Sequence, residues 1–143
     1  MSKNTGKPSE KKFQEIYSKL GKRVFVHRVP DNSDTYGRTK GKSVGGVEAQ
    51  PSDWIVTEDG QMFYAEVKST QNKTSFPFGM ISKSQMRGAR KQLAAGGQYF
   101  FFVHSLVTDE WFQIPADLIL STTKSSLKWS ELGSYKWRLA HDA

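Results

Sequence analysis

The sequence predicts a single α/β domain built on a mixed β-sheet that is flanked by helices. A length of 143 residues with 36% apolar residues suits one domain with a substantial core. Segments with helical spacing and segments with strand patterns follow one another in the order α-β-(loop)-β-β-α-β-β. Residues 98–104, with the sequence QYFFFVH, form a continuous apolar run, which is typical of a central strand buried on both faces.

The N-terminal part is predicted to contain a tail, a helix and a strand. Residues 1–8 resemble a loose basic tail. A helix is predicted from Ser9, because apolar residues recur there at the spacing of one helical face, and Gly21 is well placed to end it. Those apolar residues are Phe13, Ile16, Tyr17 and Leu20. Residues 22–29, KRVFVHRV, are predicted to be a strand that stops at Pro30.

A long loop and a hairpin follow this strand. Residues 31–46 contain four Gly and almost no apolar residues. We expect a mobile loop there, and a loop of this length in a compact domain is usually functional or disordered. Residues 53–57 and 61–68 are predicted to pair with each other, because the short segment EDG at 58–60 is a hairpin signal.

The second half of the chain is predicted to be a helix followed by two strands and a short helix. In chain order we expect an irregular segment at 69–81, a helix at 82–95 ended by two Gly, strands at 98–104 and 110–114, and a short helix at 115–120. His104 lies within a strand pattern and is expected to be structural. The last 23 residues are ambiguous between a strand and a cover over the core.

The composition excludes several kinds of protein. A chain without Cys has no disulfide scaffold, no thiolate zinc site and no Cys nucleophile. No run approaches the ~18 apolar residues that a membrane span needs. The first residues lack the apolar region of a secretory signal. We therefore expect a cytoplasmic protein (in the host cytoplasm if phage-encoded) with no membrane partner and no organic cofactor.

The positive charge is concentrated at one end of the chain. The net charge is +7, and residues 1–46 carry all of the excess, with 11 Lys and Arg against 4 Asp and Glu. A basic segment of this kind attracts polyanions such as nucleic acid, and the binding is then sensitive to salt. The alternative is a basic face that only keeps the protein in solution, and charge alone does not decide between the two.

Three residues of the predicted hairpin point to phosphodiester chemistry. Asp53 opens the first strand, and Glu66 and Lys68 lie on its partner, where alternation places them on one face. Two carboxylates at ~4 Å repel each other by roughly 4 kcal/mol at a dielectric constant near 20. A divalent cation offsets this repulsion, and oxygen ligands suit Mg²⁺, with Mn²⁺ as a substitute. The Lys68 ammonium can orient a water nucleophile or stabilise charge on phosphorus. The alternative is a solvent-exposed carboxylate pair with Lys68 as its ion-pair partner.

The segment GVEAQPSDWIV…FYAEVKSTQNKTSFPF resembles the core of the PD-(D/E)xK nucleases, and more narrowly the Holliday-junction resolvases of the RecU and Hjc type. The resemblance covers residues 6–120. The run EVKSTQNKTSF at 66–76, the two Gly before the apolar strand and the segment WFQIPA at 111–116 all resemble that family. This resemblance implies a restriction-endonuclease-like fold and a Mg²⁺-dependent endonuclease.

The resemblance also implies roles for individual residues. It assigns the metal to Asp53, Glu66, the Val67 carbonyl and Gln85, which lies 19 positions after Glu66. The segment GKPSE is similar to the G-x-x-x-E of both resolvase types and adds Glu10 to the catalytic residues. An acidic residue in the first turn of a helix also suits the macrodipole, and Glu15 is a competing candidate. Gln85 could equally belong to a capping box that begins at Ser82.

The sequence departs from the RecU pattern in two places. Pro51 stands where RecU proteins usually have a Thr, two residues before the metal Asp, so that ligand is absent. The chain also lacks a clear RecU stalk between the first strand and Asp53, and in this it is closer to the compact archaeal Hjc arrangement.

Basic residues in two regions are candidates for contacts with the DNA backbone, although each could be a solvated charge. They are Arg38, Lys40 and Lys42 in the Gly-rich loop, and Lys73, Arg87, Arg90 and Lys91 in and before the second helix. We expect recognition of shape and backbone rather than of bases.

The expected function is resolution of four-way DNA junctions by paired, symmetric nicks. Symmetric nicking needs two equivalent sites, so we expect a homodimer. Two alternatives remain: a nuclease of the same core that acts on nicked, flapped or duplex DNA, and a non-catalytic module that binds junctions.

Overall fold

The protein is described by a computed structural model for residues 6–30 and 50–141. The predicted loop at 31–46 therefore lies outside the described residues. A mixed five-stranded sheet has the strand order β1-β2-β3-β5-β6. Its strands are β1 (Val24–Arg28), β2 (Trp54–Glu58), β3 (Gln61–Thr70), β5 (Tyr99–Ser105) and β6 (Glu110–Pro115). Only β3 and β5 are parallel; the other neighbours are antiparallel. The predicted fold class is confirmed.

In the part of the chain that the structure describes, four α-helices pack around this sheet. They are α1 (Gly6–Tyr17), α2 (Lys83–Ala94), α3 (Ala116–Leu120) and α4 (Arg138–His141). The first helix begins at Gly6 rather than Ser9, so residues 6–8 are not a loose tail; Pro8 is tolerated because the first turn needs no backbone N–H donor from it. No helix among the described residues is long and apolar enough to cross a membrane.

The sheet separates two apolar layers. The layer under α1 contains Phe13, Trp54, Val56 and Phe102. The layer under α2 and α3 contains Ala89, Tyr99, Phe101, Ile114 and Ile119. The strand β5 contributes to both layers and lies between β3 and β6, which confirms the predicted central strand. Burial of large aromatic side chains on both faces stabilises the sheet and fixes its register.

The predicted hairpin is formed by β2 and β3. Trp54 pairs with Ala65 at one end and Glu58 with Gln61 at the other. Asp59 and Gly60 both have positive φ, 50° and 85°, as a two-residue type I′ turn requires. The turn sets the register of the hairpin, and the register decides which residues lie opposite Asp53.

The C-terminal segment covers the sheet on both faces, which the sequence leaves ambiguous. A short strand, β7 (Ser126–Lys128), pairs with β4 (Ser75–Pro77) in a separate two-stranded sheet. Leu132 then joins the layer under α2, and Trp137 joins the layer under α1. The β4 strand lies within the segment predicted as irregular, because its partner strand β7 is contributed from about 50 residues further along the chain.

Candidate active site

The N-terminal end of β2 places Asp53 next to Glu66. Asp53 directly precedes β2, and its backbone N–H donates to the Glu66 carboxylate over 2.8 Å. Ala65 and Val67 belong to the layer under α1, so Glu66 and Lys68 point to the opposite face. The structure therefore brings together Asp53, Glu66 and Lys68, the three residues on which the sequence prediction rests.

Glu66 is a buried carboxyl group, with 1% of the residue exposed. Its second oxygen accepts a hydrogen bond from Gln85 Nε2 over 3.0 Å. Burial, with a smaller contribution from the charge of Asp53, raises the pKa of Glu66 to about 8, while Lys68 acts in the opposite direction. At neutral pH without a cation this carboxyl group therefore holds a proton, which a bound cation would displace.

Glu10 belongs to the same electrostatic cluster. Burial raises the pKa of its half-buried carboxyl group, the positive charges of Arg28 and Lys68 lower it, and Asp53 raises it. Glu15 is exposed and lines a separate surface pocket with Lys12 and Trp111. Of the two glutamates that compete in the sequence, the structure brings Glu10 to the cluster.

Gln85 connects the start of α2 to this cluster. Its amide oxygen accepts from the Ser82 backbone N–H over 3.0 Å, and the Ser82 hydroxyl accepts from the Gln85 N–H, so the capping box is present. Its amide nitrogen is the group that faces Glu66. Both ends of the side chain thus make protein hydrogen bonds, and the ligand role that the family resemblance implies stays a prediction.

Arg28 is a residue of this site that the sequence analysis does not single out. It ends β1, its Nε lies 3.7 Å from Glu10 Oε1, and its guanidinium lies 5.5 Å from the centre of the Trp54 ring. The Val29 backbone N–H donates to the Asp53 carbonyl over 2.8 Å, which ties the end of β1 to the start of β2. The available sequence signal is a cation at the end of a predicted strand, just before Pro30, and it becomes specific only once β1 is paired with β2.

The segment that carries Asp53 is held on its other side by side chains. Gln50 Nε2 donates to Asp53 Oδ1 over 3.2 Å, and the Ser52 hydroxyl donates to the Trp54 carbonyl over 2.7 Å. The Tyr99 hydroxyl donates to the Pro51 carbonyl over 2.5 Å. These hydrogen bonds restrict the backbone on both sides of Asp53 and so fix the distance between the two carboxylates.

The donor atoms suit a hard divalent cation. Within residues 6–30 and 50–141 no three or more His, Cys, Asp or Glu side chains are grouped to hold a metal, so the acidic donors are the pair Asp53 and Glu66. Mg²⁺ is commonly bound by one or two carboxylates, with water and substrate phosphate completing its shell. Val67 lies beyond the last β2–β3 pair, where β3 pairs with β5 alone. Its carbonyl as a third ligand stays a prediction.

The proposed DNA-contacting residues divide into two groups. Lys73, Arg87, Arg90 and Lys91 are exposed, the last three on the outer side of α2. Arg38, Lys40 and Lys42 lie outside the described residues.

The chain is similar to known proteins in structure rather than in sequence. No protein-family model and no curated protein matches the sequence. Among solved structures, the chain is similar to Hjc from Archaeoglobus fulgidus, a Holliday junction resolvase of an archaeal hyperthermophile, with a TM-score of 0.52. The match covers 86% of this chain and 85% of that one at 12% identity. At this identity the similarity establishes a common fold, which is the one that the sequence predicts.

Proposed function

We propose that this protein is a Mg²⁺-dependent endonuclease that resolves four-way DNA junctions. The observation that carries the proposal is the buried Glu66 carboxyl group next to the partly buried Asp53 and beside Lys68, on the hairpin of a fold shared with an archaeal junction resolvase. The burial of Glu66, whose carboxylate accepts from the Asp53 backbone N–H, argues against a pair of separately solvated surface carboxylates.

The residues of the cluster have separate tasks in phosphodiester hydrolysis. Asp53 and Glu66 would hold Mg²⁺, which when bound supplies a polarised water and neutralises charge on the phosphate. The Lys68 ammonium stabilises the negative charge that develops on phosphorus. Arg28, at the edge of the cluster and 44% exposed at its side chain, is placed to bind a phosphate next to the one that is cut.

A junction is the favoured substrate because the solved protein that shares this fold is a Holliday junction resolvase. The described surface offers exposed cations, which suit the phosphate backbone of any DNA. Lys73, Arg87, Arg90 and Lys91 are exposed and suit contacts to the phosphate backbone. If Arg87, Arg90 and Lys91 each neutralise a phosphate, replacing all three by Gln makes the slope of log K against log salt shallower by roughly 0.9 for each lost contact. A Lys136→Gln variant, which removes a Lys paired with Glu110, is the control for the loss of one cation outside α2 and should leave the slope unchanged.

The functional protein is proposed to be a homodimer, because two symmetric nicks need two equivalent sites. Analytical ultracentrifugation of the free protein and of its junction complex tests this part. A single copy of the chain on each junction would contradict it.

The decisive experiment is cleavage of an end-labelled four-way junction in Mg²⁺ by the wild type and by Asp53→Asn. We expect paired symmetric nicks from the wild type, and a mutant that binds the junction but does not cut it. Equal cutting of linear duplex would replace the proposal by a general nuclease. Tight junction binding without cutting in Mg²⁺ or Mn²⁺ would leave only a binding module.

A further inference from the structure

We propose that Ser9 and His104 are positioning residues that hold Glu10 at the acidic cluster. The Ser9 hydroxyl lies 2.8 Å from His104 Nδ1, across 95 residues of sequence. His104 Nε2 lies 2.7 Å from Asp109 Oδ1. The three side chains form a continuous chain from the first turn of α1, through the central strand β5, to the turn before β6. This inference rests on the proposed function and on the active-site role that the family resemblance implies for Glu10.

The three linked side chains of Ser9, His104 and Asp109 serve as a structural anchor and not as a nucleophilic triad. Ser9 is 1% exposed, so no substrate can reach its hydroxyl, and His104 is 3% exposed. The imidazole stacks on Trp111 with 4.4 Å between ring centres and 7° between planes. This packing fixes the orientation of the imidazole ring. The orientation of the ring in turn directs Nδ1 towards the Ser9 hydroxyl.

The surroundings of His104 decide the direction of both hydrogen bonds. Burial lowers the pKa of His104, while the Asp109 carboxylate raises it and Lys12 lowers it. The neutral ring then donates from Nε2 to the Asp109 carboxylate and accepts at Nδ1 from the Ser9 hydroxyl. Asp109 is also within 3.7 Å of Lys12, one turn after Ser9, so this carboxylate contacts α1 directly through Lys12 and indirectly through His104.

Glu10 depends on this anchor because of its place in α1. Ser9, Phe13 and Tyr17 form the buried stripe of the helix at intervals of four residues. The two aromatic residues pack against the sheet further along, and the Tyr17 hydroxyl donates to Glu58 at the far end. In the first turn, where a helix has unpaired N–H groups and opens most easily, Ser9 makes the buried polar contact next to Glu10.

The test is a double-mutant cycle of Ser9→Ala with Glu10→Gln, read as the single-turnover cleavage rate of a four-way junction. We expect Ser9→Ala and His104→Gln each to lower the rate about tenfold while the junction Kd changes by less than about twofold. In the Glu10→Gln background, Ser9→Ala should lower the rate by less than about twofold further, because the anchor acts through Glu10.

The matched control is Tyr17→Phe, which removes a hydrogen bond from the other end of the same helix. We expect it to leave the cleavage rate unchanged. An equal loss of rate in Tyr17→Phe, or a full additional loss from Ser9→Ala in the Glu10→Gln background, would overturn the inference in favour of a general contribution to stability.

A second measurement separates this inference from the proposed function. Amide hydrogen exchange at residues 10–13, whose N–H groups bond to the carbonyls of residues 6–9, should become faster in Ser9→Ala and in His104→Gln but not in Tyr17→Phe. Unchanged exchange would refute the anchor even if the wild type cuts junctions. Faster exchange in a protein that cuts no DNA would refute the proposed function, and with it the catalytic purpose of an anchor that exists.

Discussion

Gly88 on α2 lies against the backbone of Pro51, two residues before Asp53. A Cβ atom added at Gly88 would stand 2.9 Å from both the Cα and the carbonyl oxygen of Pro51. These are backbone atoms that cannot move aside like the end of a flexible side chain. The helix can approach the Asp53 segment this closely only because residue 88 has no side chain.

A Gly88→Ala variant is therefore expected to be less stable than the wild type, although Ala is the better helix former by about 1 kcal/mol. Overpacking of this kind costs about 1–3 kcal/mol, and the shift should also lower cleavage because Asp53 moves with Pro51. Urea unfolding and a cleavage assay measure the two effects. Gly79→Ala is the control, since a Cβ there meets nothing within 4 Å. A Gly88→Ala protein as stable and active as the control would contradict the prediction.

The buried carboxyl group of Glu66 should make the stability of the metal-free protein depend on pH. Its pKa is raised from 4.5 to about 8, so the folded state binds this proton more tightly than the unfolded state. The contribution is complete below pH ~4.5 and is lost as the pH rises through about 8, by up to about 1.4 kcal/mol per pH unit. Urea unfolding in a chelator at pH 5, 7 and 9 measures this loss.

Glu66→Gln should weaken this dependence on pH, because the amide does not ionise, and leave the part that comes from Glu10, whose pKa is also raised. Replacement of the exposed Glu15 by Gln should leave the dependence as in the wild type. Added Mg²⁺ should reverse the trend, since the cation binds the ionised carboxylate. A free energy of unfolding for the wild type that stays constant from pH 5 to pH 9 would show that Glu66 is not held protonated.

Arg28 is expected to control the ionisation of Glu10. Among the charges near Glu10, Arg28 has the largest effect in lowering its pKa. Arg28→Ala should raise that pKa, and because Glu10 is expected to act as a carboxylate, the acidic limb of the cleavage rate should move to higher pH. Arg28→Lys keeps the charge and should show a smaller shift. Arg23→Ala, which removes an exposed partner of Asp59, should leave the limb in place. An unmoved limb in Arg28→Ala would contradict this role.

Gln85 is expected to support metal binding through Glu66. Gln85→Ala removes the donor to Glu66 Oε1 and the acceptor for the Ser82 N–H. The loss of a hydrogen bond to a carboxylate disfavours its ionised form, so we expect Mn²⁺ affinity, measured by calorimetry, to fall about tenfold. Gln92→Ala, on the same helix, removes only a 3.4 Å contact with the Gln98 carbonyl and should keep the wild-type affinity. Equal affinities in the two variants would exclude Gln85 from the metal site.

Local patterns were sufficient for most of the elements and for three residues of the site. The hairpin of β2 and β3 is encoded by its own turn residues and alternation, so Asp53, Glu66 and Lys68 could be brought together from sequence alone. The start of α2 at Ser82 was readable for the same reason, because a capping box lies within four residues. The structure begins α1 at Gly6, three residues before the predicted Ser9, since Pro8 in a first turn gives no clear boundary.

The remaining residues of the site are brought together by long-range pairings, which no local sequence pattern encodes. The pairing of β1 with β2 brings Arg28 to the cluster, and the packing of α2 directs Gln85 towards Glu66. The bond between Ser9 and His104 exists only because α1 crosses the end of β5. The sequence by itself determined which residue types the chain could offer to a metal and a phosphate. The tertiary structure decided which of them meet, because burial and distance set their charge and their contacts.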